Sequence, residues 1–536
     1  MIRKLSVENR NINSISFNAQ NNKGIRNEQT PSFKGVSPLS ALFWGMQKCE
    51  ENPMINVAVV DMMSAILPRT YVESKTNWFA GFEAFRREAS GLVVNCMIPG
   101  AIAWLGAVGL NKFIMPKGAS LSSCWAEHSL INKITDIYSN SNANDKSKAV
   151  IEEILLNVEG VDGKDPVSLS KAIKENIDSY SERLNKLVKS NKKENISKET
   201  KKIAKEIADK AHIFENIKVK ADKDINIKSL DALLDDTVRF LKAYKNVENN
   251  ITIEEFAKKG KKLVKGKSAI GLTIILPLAA SMQYINRWIT EKASGTKGAP
   301  IYEDFGTNDN EEIRKKSKEG LLKQKIISIS SMIGVALLSM MKRPSWGMLE
   351  FKGWFPTMDQ ARVISTTTFA SRMAVADDKN ELAEATVRDI ATFSGLYFLG
   401  DYAGKAMATI LQKRMKVSLL NDTKPLNGDE NILRRFWHWV KDVNIKSSEE
   451  VVSKTAKTLE ERKIKPDERQ LEIIKKEIKK AKNCRYGCQA TNLGVSLILL
   501  GFVVPLWTRN KTKKKHEEAL RQANSEKNFQ VVSSET

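Results

Sequence analysis

Residues 486–508 read YGCQATNLGVSLILLGFVVPLWT, a run of 23 positions without a charged side chain. A helix needs roughly 17–25 apolar residues to cross the hydrocarbon core of a bilayer, so this run is long enough to span one. A fully buried helix of a large soluble protein can be equally apolar on all sides. The flanks favour the membrane, because a basic run follows at 509–515 and Tyr486 and Trp507 lie near the two ends.

Other apolar segments repeat this pattern along the chain. Residues 89–111 and 268–286 carry no charge over 23 and 19 positions, and residues 326–341 carry none over 16. Residues 53–68 form a weaker candidate, because Asp61 lies in the middle of the segment. We therefore predict an all-α, multi-pass helical membrane protein with about five to six spans, located in the cell membrane.

The charge distribution favours lipid over nucleic acid as the partner. Lys and Arg total 86 and Asp and Glu total 63, which gives a formal net charge of +23. The strongly basic runs border apolar segments, for example KKGKKLVKGK at 258–267, as expected of lysines in the head-group layer. Although the surplus by itself would also suit nucleic acid, we expect the lipid bilayer as the main partner and no nucleic-acid binding.

Composition also predicts how the chain is organised. Between the first and second spans lies a polar region in which apolar residues recur every three or four positions, for example from Leu169 to Leu187, as in an amphipathic helix. Protein partners, if any, are expected to bind this polar helical domain. The predicted regions are a disordered arm at 1–35, an N-terminal helical and membrane segment at 36–115, the polar helical domain at 116–266, membrane helices with an interfacial aromatic loop at 267–411, an amphipathic and basic helical region at 412–485, the C-terminal span at 486–508 and a basic disordered tail at 509–536.

The N-terminal arm carries two short sequence pieces of a recurring kind. They are SISFNA at 14–19 and TPSFKG at 30–35. These pieces resemble the start of many uncharacterised predicted proteins from gut-dwelling, non-photosynthetic relatives of cyanobacteria. The resemblance covers about thirty residues of low-complexity sequence, and it implies a bacterial protein without implying a function.

A charged pair interrupts the apolar stretch FSGLYFLGDYAGKAMATIL at 393–411. Asp401 and Lys405 would each cost roughly 2.5–3.5 kcal/mol at the centre of a membrane, whereas the apolar side chains around them favour insertion by on the order of 3 kcal/mol in total. The stretch therefore needs shielding, and a spacing of four lets the two charges pair on one helix face. Gly400 and Gly404 would let another helix approach closely. We predict a helix contact here, with a polar pathway between helices or an interfacial or soluble location as alternatives.

Residues 431–443 read NILRRFWHWVKDV and place Arg434 and Arg435 beside Phe436 and Trp437. This arrangement suits a helix in the head-group layer, with its rings in the acyl region and its guanidinium groups on phosphates. The alternative is an ordinary bundle helix whose aromatic rings belong to the core.

A short repeat is also visible in the sequence. EAFRRE at 83–88 and EATVRD at 384–389 share Glu-Ala and an Arg followed by an acid. Internal repeats are common in transporters. Two helix starts with acids near the N-terminal dipole would explain the match equally well.

Catalytic motifs are missing from the sequence. GxSxG, HExxH, paired-cysteine zinc spacing and glycine-rich nucleotide loops do not occur, and the four histidines are isolated from one another. We therefore expect no enzyme, no catalytic residues, no cofactor and no metal. The leading hypothesis is a structural or interaction component of the cell envelope; the alternative is a transporter or channel subunit that uses Asp401 and Lys405.

Overall fold

The computed structural model describes a large part of the chain, and the predicted arm at 1–35 lies outside the described residues. The described residues are 53–160, 166–190, 195–210, 218–220, 228–305, 320–340, 349–421, 431–446, 450–451, 454–455 and 468–535.

Helices make up most of the described residues, so the all-α prediction is confirmed at that level. In the first half of the chain they are α1 (Pro53–Asp61), α2 (Leu67–Ser74), α3 (Trp78–Leu92), α4 (Pro99–Ile114), α5 (His128–Asn140), α6 (Lys146–Leu156), α7 (Pro166–Lys174), α8 (Ile177–Lys189), α9 (Ile196–Lys210), α10 (Leu230–Lys245) and α11 (Ile253–Ser294). In the second half they are α12 (Leu321–Ser339), α13 (Met358–Val375), α14 (Lys379–Ser394), α15 (Gly400–Met415), α16 (Ile432–Lys441), α17 (Glu468–Ser496) and α18 (Val504–Glu535). π-Helical turns join α1 to α2 (Met62–Ile66), extend α3 (Val93–Met97), join α14 to α15 (Gly395–Leu399) and join α17 to α18 (Leu497–Val503).

A small antiparallel sheet accompanies the helices, and the sequence did not predict it. Its strands are β1 (Glu159–Gly160), β2 (Lys218–Lys220) and β3 (Lys228–Ser229), in the order β1-β2-β3. Glu159 pairs with Lys220, and Lys218 pairs with Ser229. Strands of two or three residues are too short to give an alternating pattern of apolar and polar side chains.

The chain forms two compact units, each assembled from stretches that are distant in sequence. Unit 1 takes its described residues from Asn111–Leu263 and Tyr402–Thr491, and unit 2 takes them from Asn52–Leu110, Val264–Asp401 and Asn492–Thr536. The polar domain was predicted at 116–266 from composition; unit 1 also includes helices that follow Tyr402.

Unit 1 is a bundle of amphipathic helices around an apolar core. Phe240 on α10 packs against Phe256 on α11, with ring centroids 5.3 Å apart. The single amphipathic helix expected from Leu169 to Leu187 is instead two helices, because α7 ends at Lys174 and α8 begins at Ile177. The buried apolar positions of these helices include Leu169, Ile173, Tyr180, Leu184, Leu187, Leu230, Leu233, Leu234, Val238 and Leu241.

Close helix contacts hold unit 2 together. A Cβ atom added at Gly100 would lie 2.0 Å from the Trp354 carbonyl oxygen, and one added at Gly106 would lie 2.7 Å from the Ile270 side chain. Side chains at these positions would separate the segments, so glycine is what allows their approach. The apolar core of this unit includes Leu92, Met332, Phe369, Met373, Phe393 and Tyr397.

One end of unit 2 collects several turns and helix ends, and we call it the polar end. The Asn77 amide donates to the carbonyl oxygens of Pro300 and Tyr302 at 2.9 and 3.0 Å. The Tyr302 hydroxyl donates to Asp378 at 2.8 Å, and the Arg509 guanidinium donates to Thr76 at 2.7 Å. The α2–α3 turn, the α13–α14 turn, the segment after α11 and the first part of α18 therefore meet at this end.

Within the part of the chain that the structure describes, three helical stretches are long and apolar enough to cross a membrane: Ile253–Ser294, Leu321–Ser339 and Lys476–Ser525. The pair Trp78–Met97 and Pro99–Ile114, bent by 49°, would make a fourth. In each of the first three stretches, most of the 18 most apolar consecutive residues are not covered by the described structure. The buried share of these residues is 28%, 17% and 22%, respectively.

The prediction of five to six spans was therefore too high. Residues 53–68 form α1, the π-helical turn Met62–Ile66 and the start of α2; Asp61 lies within the segment and Arg69 just beyond it. Residues 390–412 divide among α14, a π-helical turn and α15, and Asp401 and Lys405 reduce their mean hydropathy. The disordered tail predicted at 509–536 was wrong for its described part, because α18 continues to Glu535. Straight-chain residues with high helix propensity, such as the Lys, Glu, Gln and Arg of this tail, favour that outcome.

Candidate functional site

The predicted charge pair is only partly described. Helix α15 contains Asp401 and Lys405, but the side chain of Asp401 lies outside the described part of the structure. The Lys405 ammonium is buried in unit 1, donates to the Val440 carbonyl oxygen at 3.1 Å and lies 5.2 Å from the centre of the Tyr402 ring. Lys405 therefore ties α15 to the end of α16, and its pairing with Asp401 stays a prediction. Gly404 is buried, and its role and that of Gly400 in a helix contact stay predictions as well.

The basic-aromatic helix is α16, and it presents its apolar side chains outward. Trp439 fixes the opposite side to unit 1, because its indole N–H donates to Thr409 at 3.3 Å and its ring lies 6.1 Å from that of Tyr402. Arg434 and Arg435 are exposed. The side chains that face outward are Ile432, Leu433, Phe436 and Trp437, which are 81%, 67%, 56% and 64% exposed. The alternative that places Phe436 and Trp437 in a bundle core therefore does not fit the geometry.

The most unusual site in the described structure is a group of buried charges in unit 2 that the sequence analysis did not single out. Helices α2, α3, α11, α13 and α14 contribute to it. We call it the charge network, and it has two neighbouring parts. Arg287 pairs with Glu83, Asp377 and Glu381 in the smaller part. The larger part consists of eight side chains joined by direct ion pairs: Arg69, Glu73, Arg87, Glu88, Arg372, Glu384, Arg388 and Asp389.

Arg372 lies at the centre of the charge network. Its guanidinium group is 3.0 Å from a carboxylate oxygen of Glu88 and 3.2 Å from one of Asp389. Arg69 reaches the same Glu88 carboxylate at 3.2 Å and also donates to the Thr392 hydroxyl. Two guanidinium groups from α2 and α13 thus share one carboxylate on α3.

A second junction forms around Glu73 at the end of α2. One oxygen of its carboxylate is 2.9 Å from Arg87 and 3.2 Å from Arg388. Burial alone would raise the pKa of the Glu73 carboxyl, but the positive charges of Arg87, Arg388 and Arg509 hold this pKa below its ordinary value. The carboxylate is therefore ionised at neutral pH and works as the link between α3 and α14.

Arg287 near the end of α11 forms the third junction. Its guanidinium group lies 2.5 Å from Glu381, 2.9 Å from Asp377 and 3.5 Å from Glu83. The run 268–286 ends one residue before it, so this charge marks the end of the apolar part of α11. The junction connects α11 to both α3 and the turn before α14.

The short sequence repeat supplies six side chains of the charge network. Glu83, Arg87 and Glu88 on α3 correspond to Glu384, Arg388 and Asp389 on α14. Each helix begins five residues before its first repeated Glu, and its N-cap side chain, Asn77 or Asp378, accepts hydrogen bonds from the first turn. Each is also followed by a π-helical turn. The repeat therefore marks two similar helical hairpins, α2–α3 and α13–α14, whose charges interlock.

A polar stripe continues from the charge network along α13. Thr368 donates to Asn95 at 3.1 Å, and Ser365 shares a hydrogen bond of 2.8 Å with the Tyr397 hydroxyl. The stripe recurs every three or four positions, which is one face of a helix. Its members on α13 are Asp359, Arg362, Ser365, Thr368 and Arg372.

The charge network surrounds a small cavity with room for about one water molecule. The cavity lies within unit 2, between the two hairpins and α11. Its walls include Glu73, Glu83, Arg87, Gln283, Arg372, Glu381, Glu384 and Arg388.

Among the residues that the structure describes, no group of three or more His, Cys, Asp and Glu side chains is arranged to hold a metal ion. Sequence reasoning missed the charge network because its partners are far apart along the chain, and the repeated EA..R motif was the one available signal.

No family model, curated protein or solved structure matches the chain.

Proposed function

We propose that this chain is a multi-pass protein of the cell membrane and a structural or interaction component of the cell envelope, with the lipid bilayer as its main partner. The apolar windows of α11, α12 and the α17–α18 stretch support the membrane location, because most of their residues are not buried by the described protein. Helices whose apolar side chains are left uncovered over such lengths need an apolar solvent.

The charge network is the main observation in favour of the proposed structural role. Its guanidinium groups lie against carboxylates from the other hairpin or from a neighbouring helix, and the cavity among them admits about one water molecule. A buried ion pair is costly to break, because the remaining charge is left without a partner. The network therefore fastens the two hairpins together in a fixed arrangement, which suits a scaffold better than a path for a solute.

Helix α16 gives the proposed membrane protein a second lipid contact. Its outward apolar side chains and its two neighbouring arginines match a helix that lies among lipid head groups. The amphipathic helices of unit 1 offer polar faces on which protein partners could bind, and no nucleic-acid contact is proposed.

Alkaline carbonate washing of cell membranes tests the location. We expect the full-length protein to remain in the membrane pellet, because spans held by hydrocarbon are not released by alkali. Release into the supernatant, together with peripheral proteins, would contradict the proposal. A known integral protein and a known peripheral protein from the same cells serve as controls.

Ion or solute transport is the second candidate function, and the polar stripe on α13 favours it. Polar side chains inside a membrane bundle are candidates for a pathway. Reconstituted wild-type protein would be compared with Thr368→Val, Asp401→Asn and Lys405→Ala for proton and solute flux. Flux that exceeds empty vesicles and falls in Thr368→Val supports a route along the stripe. Flux that falls only in Asp401→Asn and Lys405→Ala supports the charge pair instead, and flux equal to that of empty vesicles supports the scaffold.

A further inference from the structure

Three helices carry the same exposed pattern where they reach the polar end of unit 2. On each, an exposed apolar or aromatic side chain is followed after four residues by an exposed aromatic ring and after four more by an exposed lysine. Side chains spaced by four lie on one face of a helix. We call these rows the aromatic–lysine stripes, and they are Leu67, Tyr71 and Lys75 at the end of α2, Tyr284, Trp288 and Lys292 on α11, and Val503, Trp507 and Lys511 at the start of α18.

The three stripes run in the same direction. Helix α2 ends at the α2–α3 turn, α11 ends before the segment that binds Asn77, and α18 passes the same turn. The lysine is therefore the member of each stripe nearest to the turns of the polar end. In two stripes its ammonium group also lies against the ring, 4.9 Å from the centre of Tyr71 for Lys75 and 5.2 Å from the centre of Trp507 for Lys511.

Hydrogen bonds hold the stripes at a common level. The Arg86 guanidinium on α3 donates at 2.6 Å to Thr290, which lies between the aromatic residue and the lysine of the α11 stripe. Arg509, which lies between the same two members of the α18 stripe, donates at 2.7 Å to Thr76, the residue after Lys75. The aromatic rings and lysines of three helices therefore surround one end of unit 2.

The helix dipole does not explain this arrangement by itself. A lysine near the C-terminus of a helix is favourable, and this would account for Lys75 at the C-cap of α2 and Lys292 in the last turn of α11. Lys511 has the same place in its stripe but lies inside α18, far from the end of that helix at Glu535. The order of apolar side chain, aromatic ring and lysine matches the order of hydrocarbon, boundary and phosphate in a bilayer.

We propose that the aromatic–lysine stripes bind the head-group layer of the bilayer, with their rings at the edge of the hydrocarbon and Lys75, Lys292 and Lys511 on lipid phosphate groups. This inference rests on the proposed membrane location and adds which level of unit 2 lies at the membrane surface. The ammonium groups complement phosphate in charge, and the apolar members of two stripes continue the uncovered apolar windows of α11 and the α17–α18 stretch. The turns of the polar end would then face the water beside the head groups.

Fluorescence quenching by brominated lipids measures the depth of the rings. The full-length protein is reconstituted in lipid that carries bromine either just below the head group or near the end of the acyl chain. The quenching lost in Trp288→Phe or in Trp507→Phe gives the contribution of that ring. We expect both contributions to be roughly twofold larger with the shallow bromine, because interfacial tryptophan lies at the level of the head groups. Trp125→Phe is the control, because Trp125 is buried in unit 1 and should contribute nothing with either lipid.

Thermal unfolding with added lipid tests the lysines. The midpoint of the full-length protein in an uncharged detergent is compared between phosphatidylglycerol and an uncharged glycolipid with the same acyl chains. We expect phosphatidylglycerol to raise the wild-type midpoint more, and each of Lys75→Gln, Lys292→Gln and Lys511→Gln to reduce this difference by roughly 2–4 °C. Lys513→Gln is the matched control on α18, because it removes the same charge outside the stripes from a lysine that Glu303 holds at 2.8 Å. It should keep the wild-type difference.

The inference is overturned if the contributions of Trp288 and Trp507 are larger with the deep bromine, or if all three lysine variants keep the wild-type difference. It is also overturned if neither bromine quenches these rings in a protein that alkaline carbonate leaves in the membrane, because a second copy of the chain would then cover the stripes. Release by carbonate would instead contradict the membrane location itself, so the two failures are distinguished.

Discussion

Replacing Arg372 with Gln should be among the most damaging single changes in unit 2. The side chain is buried, and its guanidinium group lies 3.0 Å from Glu88 and 3.2 Å from Asp389. Glutamine has no charge, so both carboxylates lose a positive neighbour without gaining water. Glu88 keeps Arg69 and Arg87, whereas Asp389 keeps only Arg388, at 3.5 Å.

The size of the effect follows from these remaining partners. Removing one member of a buried ion pair costs about 3–5 kcal/mol, and the partial compensation of Glu88 favours the lower end, about 3 kcal/mol. For a unit of this size, that loss lowers the unfolding midpoint by roughly 6–12 °C. Asp389→Asn should cost less, because the guanidinium groups that lose it keep other carboxylates: Arg372 keeps Glu88, and Arg388 keeps Glu73 and Glu384. The double variant should lose about 1–2 kcal/mol less than the sum of the two single losses.

Thermal unfolding followed by tryptophan fluorescence in detergent measures all four proteins of this double-mutant cycle. Lys513→Gln is the control, because its ion pair with Glu303 at 2.8 Å belongs to the same unit and is exposed. An exposed pair contributes little, so we expect no measurable shift for it. The reasoning fails if Arg372→Gln unfolds close to the wild-type temperature, or if the losses in the cycle are simply additive.

Three further outcomes are expected. Gly100→Ala should strongly destabilise unit 2 in thermal unfolding, because the new Cβ would lie 2.0 Å from a backbone carbonyl oxygen. Gly109→Ala is the control in the same helix; its Cβ would meet open space, so it should be neutral or slightly stabilising. The difference in unfolding free energy between wild type and Glu73→Gln should be constant above about pH 4.5 and shrink below it. A carboxyl group whose pKa is lowered by folding contributes stability that is lost as the pH falls through the folded-state pKa. Denaturant titrations at a series of pH values measure this difference. In bilayers with brominated lipid, fluorescence quenching should fall more in Trp437→Phe than in Trp439→Phe, because Trp437 is exposed and Trp439 is held by a hydrogen bond to the protein.

The apolar helices could be predicted from sequence because their signal is local. A long run without charged residues can be recognised in a single short stretch of sequence. Three of the runs lie in helices that are long and apolar enough to span a membrane. The number of spans could not be predicted equally well. Residues 89–111 contain Pro99, where two helices meet at an angle of 49°. The average hydropathy of a stretch of sequence does not reveal such a bend.

The charge network could not be predicted, because it depends on contacts between distant positions. Glu88 and Arg372 are 284 residues apart in the chain, and nothing in the spacing of either one reveals the other. Sequence reasoning instead favoured Asp401 and Lys405, since a spacing of four makes a pair visible at once. The described contact of Lys405 is with the carbonyl oxygen of Val440, which lies 35 positions further along the chain.

The exchange of partners between the two hairpins explains why the charge network holds the helices in one arrangement. Glu73 of the first hairpin binds Arg388 of the second, and Glu88 of the first binds Arg372 of the second. If the hairpins moved apart, each of these buried charges would lose its partner on the other hairpin and keep only the partners on its own, so part of its compensation would be lost. That penalty grows as water is excluded, so an apolar solvent around the helices would strengthen the fastening. A transport cycle requires two arrangements of similar free energy, whereas interlocked charges favour one strongly, and this difference is the physical basis for preferring a scaffold.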